Sequence, residues 1–187
     1  MLNKEMIENL MASADEDVMY LSKITDEIIS KYSGTLDDIM KNIYSDVILN
    51  KDGVEKSVLE QYYLELTNIL YFMFEKLEQL GIYDDISKAS AKEAYNTSYL
   101  SQTNITTGKK PTVAEISAIA EKDALYNTTV NGIYARSYKI FKSKIEAGYE
   151  MAKCLSKIIS SRLADMQIAS VDTDTKTQLL LERKFGN

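Results

Sequence analysis

A single proline, Pro111, interrupts 187 residues, and glycine occurs only seven times. Proline and glycine are the strongest breakers of regular backbone, so a chain almost without them has long stretches that nothing stops from becoming helix. The apolar spacing agrees. Met6, Ile7, Leu10 and Met11, then Val18, Leu21, Ile24 and Ile28, recur at three and four residues, the period of one helix face. Ser33-Gly34-Thr35 reads as a stop, with Gly34 suited to a left-handed cap and Thr35 or Ser33 opening a second helix to about Leu49. Asn50-Lys51-Asp52-Gly53 reads as a turn. A third helix is expected from about Val54 to Leu80, with Leu59, Tyr62, Tyr63, Leu66, Ile69, Leu70, Met73 and Leu77 on a broad face and Gly81 ending it. Residues 84–102 read as a further helix, and Asn104 to Lys110 as a polar loop.

Beyond Pro111 the signals sharpen. Thr112-x-x-Glu115 has the spacing of a capping box, in which side chain and backbone at a helix start satisfy each other's free donors. A short helix to about Lys122 is expected, then a long one opened by Asp123 and running to about Ile168. The tail, 171–187, begins with alternating Asp and Thr and ends in Leu179-Leu180-Leu181. The expected fold is all-α, an elongated helical bundle with a long C-terminal helix that oligomerises. The organisation it implies is an acidic helical region at 1–103, a helical hairpin at 104–170 and the tail at 171–187.

Absences narrow the chemistry. The chain has no His and one Cys. A Ser-His-Asp triad, a Cys-His pair and a His-based zinc or di-metal site cannot be built from it. No phosphate-binding G-x-x-x-x-G-K-[ST] or dinucleotide G-x-G-x-x-G motif occurs. The carboxylate runs Asp15-Glu16-Asp17, Asp37-Asp38 and Asp84-Asp85 fan out by about 100° per residue on a helix, so they do not converge on one atom. Asp172-x-Asp174 lacks the Gly and final Glu of a calcium loop. Cys154, without a base, is expected to be a buried structural thiol. The reading is therefore a non-enzymatic protein with no cofactor and no metal. The most apolar run, Leu66 to Phe74, is half the roughly twenty residues a bilayer span needs, and the N-terminus lacks a signal-peptide pattern. A cytoplasmic location without membrane contact follows as an expectation.

Charge is unevenly spread. The net over 1–100 is −10 and over 101–170 it is +4, within an overall −6. In the long helix, Val130, Tyr134, Phe141, Ile145, Ala152, Leu155, Ile159 and Leu163 form one apolar stripe. Ile133, Ile140, Met151 and Ile158 form a second, about a quarter turn away. An arc this broad calls for two neighbours, and Ile133, Ile140, Met151 and Ile158 are the expected contact with another copy of the chain. Opposite lie Arg136, Lys139, Lys142, Lys153 and Lys157, interrupted by Glu146 and Glu150. Lys144 and Arg162 flank the apolar arc. This row suits a phosphate backbone, because each base that neutralises a phosphate releases counterions. It equally suits a solvated face laced by Glu–Lys pairs. Tyr62, Tyr63, Tyr134 and Tyr138 sit on apolar faces, where tyrosine serves core or interface. Tyr95 and Tyr99, ahead of Lys109-Lys110, are the better platforms for stacking unpaired bases.

Residues 108–168 resemble the small helical phage proteins of the UvsY recombination-mediator type. The likeness rests on Gly108-Lys109-Lys110-Pro111-Thr112 opening a helix, Asp123 following, and Leu155-x-x-x-Ile159-x-x-Arg162 near the end, with Met166 and Ile168 beyond and an acidic half before. The resemblance implies a ring-forming helical homo-oligomer that binds single-stranded DNA and helps load a recombinase onto strands held by a single-strand binding protein, in the cytoplasm of a bacterial host. Residues expected at the nucleic acid are Lys109, Lys110, Arg136, Lys139, Lys142, Lys153, Lys157 and Arg162. The competing reading is an acidic helical protein-interaction module, either a phage inhibitor of a host protein or a virion assembly factor.

Overall fold

The computed structural model describes residues 4–50, 53–104 and 111–185, with side chains placed at 16, 18–50, 53–104 and 111–168. Among these the fold is all-α and contains no strand. Helix α1 is Lys4–Ile43, α2 is Lys56–Thr103 and α3 is Val113–Phe185. The three helices pack as a bundle.

Fewer and longer helices form than the breakers suggest. Gly34 lies inside α1 and Gly81 inside α2, neither of them ending a helix. Glycine in a helix interior costs only about 1 kcal/mol relative to alanine. The buried residues on either side, Ile29 and Leu36 around Gly34 and Leu77 and Leu80 just before Gly81, outweigh that cost. Asp123 likewise lies within α3 and opens nothing. It accepts a 2.5 Å hydrogen bond from the Ser98 hydroxyl of α2. The hairpin expected over 104–170 is therefore a single helix from Val113 onward, antiparallel to α2, and the helix continues through the tail to Phe185.

Local signals that do hold are the turn and the cap. The Gly53 N–H donates to the Asn50 carbonyl at 3.4 Å. At the start of α3, the Thr112 N–H donates to Glu115 Oε2 at 2.7 Å and the Glu115 N–H to Thr112 Oγ1 at 3.3 Å. That reciprocal pair is the capping box. The bond from the Thr112 N–H, and after it a 3.0 Å bond from the Thr112 hydroxyl to the same carboxylate oxygen, hold the Glu115 carboxyl below its ordinary pKa. Helix α1 ends in a π-helical turn, Tyr44–Ile48, closed by a 3.1 Å bond from the Leu49 N–H to the Tyr44 carbonyl.

The chain divides into two compact units, each fed by all three helices. One comprises the stretch up to Gly34 together with Phe72–Ile145; the other comprises Thr35–Tyr71 and the stretch from Glu146 onward. In the first, Ile29, Met73, Leu77, Leu80, Ile116 and Phe141 are buried. Tyr32 of α1 meets Phe141 of α3 with ring centroids 5.9 Å apart, and the Lys76 ammonium of α2 donates to the Tyr32 carbonyl at 3.5 Å. Beyond Leu80 the inward side of α2 changes character. Asp84, Ser87 and Ser98 take over, facing Asn131 and Asp123 of α3. In the second unit, Leu36, Ile39, Ile43, Val47, Leu59, Leu66, Leu70, Ala152 and Leu155 are buried. Gly148 sits directly against this core: a Cβ there would lie 2.8 Å from Leu70 Cδ2 and 3.3 Å from Leu36 Cδ1.

Candidate functional site

Most of the expected site residues lie on α3, and the structure sorts them by what each touches. In the first unit, Arg136, Lys139 and Lys142 are exposed. Successive members stand three residues apart, so the row crosses the helix surface in a shallow spiral covering about 120°. Among the described residues none of the three has a carboxylate within ion-pair distance. Lys144, on the flank of the apolar arc, turns inward and donates to Ser33 Oγ at 3.3 Å.

In the second unit the basic residues diverge. Lys157 is exposed. Lys153 is exposed and pairs with Glu150 at 2.6 Å, one turn away on the same helix. A surface pair of this kind contributes about 0–1 kcal/mol. Arg162 has another task. Its guanidinium donates to the Val54 carbonyl, fastening the connection between α1 and α2, and it lines an open pocket of about 420 Å³ with Val47, Ile48, Ile158 and Ser161. The side chain expected at a phosphate is thus committed to the backbone. Lys109 and Lys110 lie outside the described residues.

The second apolar stripe is less exposed than an isolated face would be. Ile133, Met151 and Ile158 are half-buried and Ile140 is 36% exposed. In the first unit α3 meets α1 at Tyr32 and Ser33 and α2 at Asp84, Ser87 and Ser98. In that unit α3 thus has two neighbouring helices within the chain. Cys154, expected to be buried, is exposed. It falls on the outer side of α3, about 100° from the buried Leu155 that follows it.

Several tyrosines pair with one another or with a carboxylate. Tyr83 of α2 stacks on Tyr134 of α3 at 5.4 Å with 14° between the planes. Burial, then the nearby Tyr83 and Tyr134 phenols, push the Tyr32 hydroxyl above its ordinary pKa. Tyr95 and Tyr99 stack on one another at 6.0 Å and 22°. In the second unit the Tyr62 hydroxyl donates to Asp46 in the π-helical turn, and that bond pushes its pKa up to about 12.

Two bases that the expected site does not include stand on α2. Lys88 and Lys92 are exposed, and with Tyr95 and Tyr99 they follow i, i+4, i+7, i+11, the spacing of one helix face. That spacing was the signal available. Among the described residues no group of three or more Asp, Glu and Cys side chains is placed to hold a metal ion, and no helix is long and apolar enough to cross a membrane. No protein-family model matches the sequence, and comparison with curated proteins and with solved structures finds no significant similarity to this chain.

Proposed function

We propose that this protein binds single-stranded DNA through the basic surface of its long helix and acts, without catalysis of its own, as an accessory to DNA recombination. One observation carries the reading: Arg136, Lys139 and Lys142 stand exposed, in register and without a carboxylate partner among the described residues. Exposed bases left unpaired in a chain of net charge −6 are available to phosphates. A preformed helical face needs no ordering when a strand arrives, and tracking phosphates gives little sequence preference. The resemblance of residues 108–168 to recombination mediators supplies the biological setting, with a recombinase or a single-strand binding protein as further partners and self-association as the means of multiplying modest sites.

The test is fluorescence anisotropy of a labelled oligothymidine at about 50 and 200 mM salt. Three phosphate contacts at roughly −0.7 each in the log–log slope predict about 20-fold weaker binding over that range. Replacing Arg136, Lys139 and Lys142 by alanine should weaken binding at low salt and flatten the slope. Binding that ignores salt, or survives the triple replacement, would sink the proposal.

A second reading has its own observation. Met19, Leu64, Ile82, Ile86 and Leu125 are each more than half exposed. Large apolar side chains on outer helix faces suit a protein partner. An absence of DNA binding at both salt concentrations would favour this protein-interaction module.

A further inference from the structure

We infer that the α2 face bearing Lys88, Lys92, Tyr95 and Tyr99 is a base-stacking station for single-stranded DNA, a proposal that rests on the DNA-binding reading above. The four residues share one helix face and all belong to the first unit, the unit that also carries Arg136, Lys139 and Lys142. The two tyrosine rings are already stacked, 6.0 Å apart and 22° from parallel, in the free protein. Both are half-buried, which holds the rings in place and leaves part of each open. Neither hydroxyl has a hydrogen-bond partner among the described residues.

A pre-stacked, half-open ring pair offers a π-face to a base with little loss of side-chain freedom, and every base has a face to offer in return. One and two turns before Tyr95, the Lys92 and Lys88 ammonium groups are exposed and lack a carboxylate within ion-pair distance among the described residues. Lys88 and Lys92 are about 6 Å apart along the axis, and the whole face from Lys88 to Tyr99 covers about 16 Å. A short single strand laid along it meets two cations and then two rings. Asp85 and Glu93 are the acidic neighbours on the same helix, and both are exposed. Charge therefore guides the strand only weakly here, and stacking carries the contact. This predicts a preference for strands with bases over strands with phosphates alone, which the α3 row by itself does not.

The experiment compares labelled oligothymidine with an abasic deoxyribose-phosphate oligomer of equal length and charge, at low salt, on the full chain. The wild-type protein should bind oligothymidine roughly ten-fold more tightly than the abasic oligomer, within the range for one base on one ring. Replacing Tyr95 and Tyr99 together by alanine should bring oligothymidine down to the abasic level and leave abasic binding unchanged. Phenylalanine at both positions should keep the preference, since it keeps the rings and the packing. Equal wild-type affinity for the two oligomers, or an equal loss of both in the alanine variant, overturns the stacking station while leaving the DNA-binding proposal standing. Binding of neither oligomer overturns both.

Discussion

At the scale of single residues, the same amino acid does opposite work according to its surroundings. Gly34 and Gly148 both lie inside helices. A Cβ on Gly34 would meet nothing within 4 Å, whereas one on Gly148 would press on Leu70 and Leu36, both fully buried. Replacing Gly34 by alanine should therefore stabilise the protein by about 0.5–1 kcal/mol, because only the entropy of the unfolded chain changes. Replacing Gly148 by valine should destabilise it by about 1–3 kcal/mol through overpacking. Chemical denaturation of the two variants checks the opposite signs. Tyr62 gives a second residue-scale prediction. Its phenol is held protonated to about 12 by donating to Asp46. A folded pKa raised above the unfolded value of about 10 means the bond's contribution is whole below pH 10. It is lost as pH rises through 12. A phenolate absorbance titration of wild type minus Tyr62→Phe should show one group ionising near 12. A difference centred on 10 would show that the bond to Asp46 does not form in solution.

Among the elements, a helix signal holds where both partners are local and misleads where the partner is distant. The Thr112–Glu115 box was legible because both partners are local, three residues apart. Gly81 and Asp123 were misleading because their roles are set by distant residues. A Cβ on Gly81 would come within 3.3 Å of the Tyr138 ring of α3, so there the glycine is room for a neighbouring helix. Asp123 is an acceptor for Ser98. The change along α2 from leucine to serine and aspartate at inward positions reads as weak amphipathicity. It proves to be a polar seam in which the Asn131 amide donates to Asp84 Oδ1 and Ser87 Oγ, both at 3.2 Å. A buried polar group costs little once it is paired, so the helix does not end there. Among the described residues Ser137 is the exception, fully buried with no hydrogen-bond partner for its hydroxyl.

Across the whole molecule, each unit draws on all three helices, so no cut in the sequence separates them. Among the described residues Phe141 is the largest fully buried side chain. Its replacement by alanine removes a buried ring that packs on Tyr32 and should cost about 3–5 kcal/mol, read as a lowered denaturation midpoint. A loss under about 1 kcal/mol would show that the site relaxes into the space. Helix-dominated architecture, the turn at Asn50–Gly53, the α3 cap, and the exclusion of histidine chemistry all followed from the sequence alone. Each depends on residue types or on partners within a few positions. The exposed row Arg136, Lys139 and Lys142 was legible in part, since helical spacing gives direction. Only the tertiary structure decided that Arg162 and Lys144 turn to the protein, that Cys154 faces outward, that Tyr95 and Tyr99 stack, and that α3 in the first unit meets both α1 and α2. Periodicity says which side of a helix a residue is on; what stands opposite that side depends on residues tens of positions away.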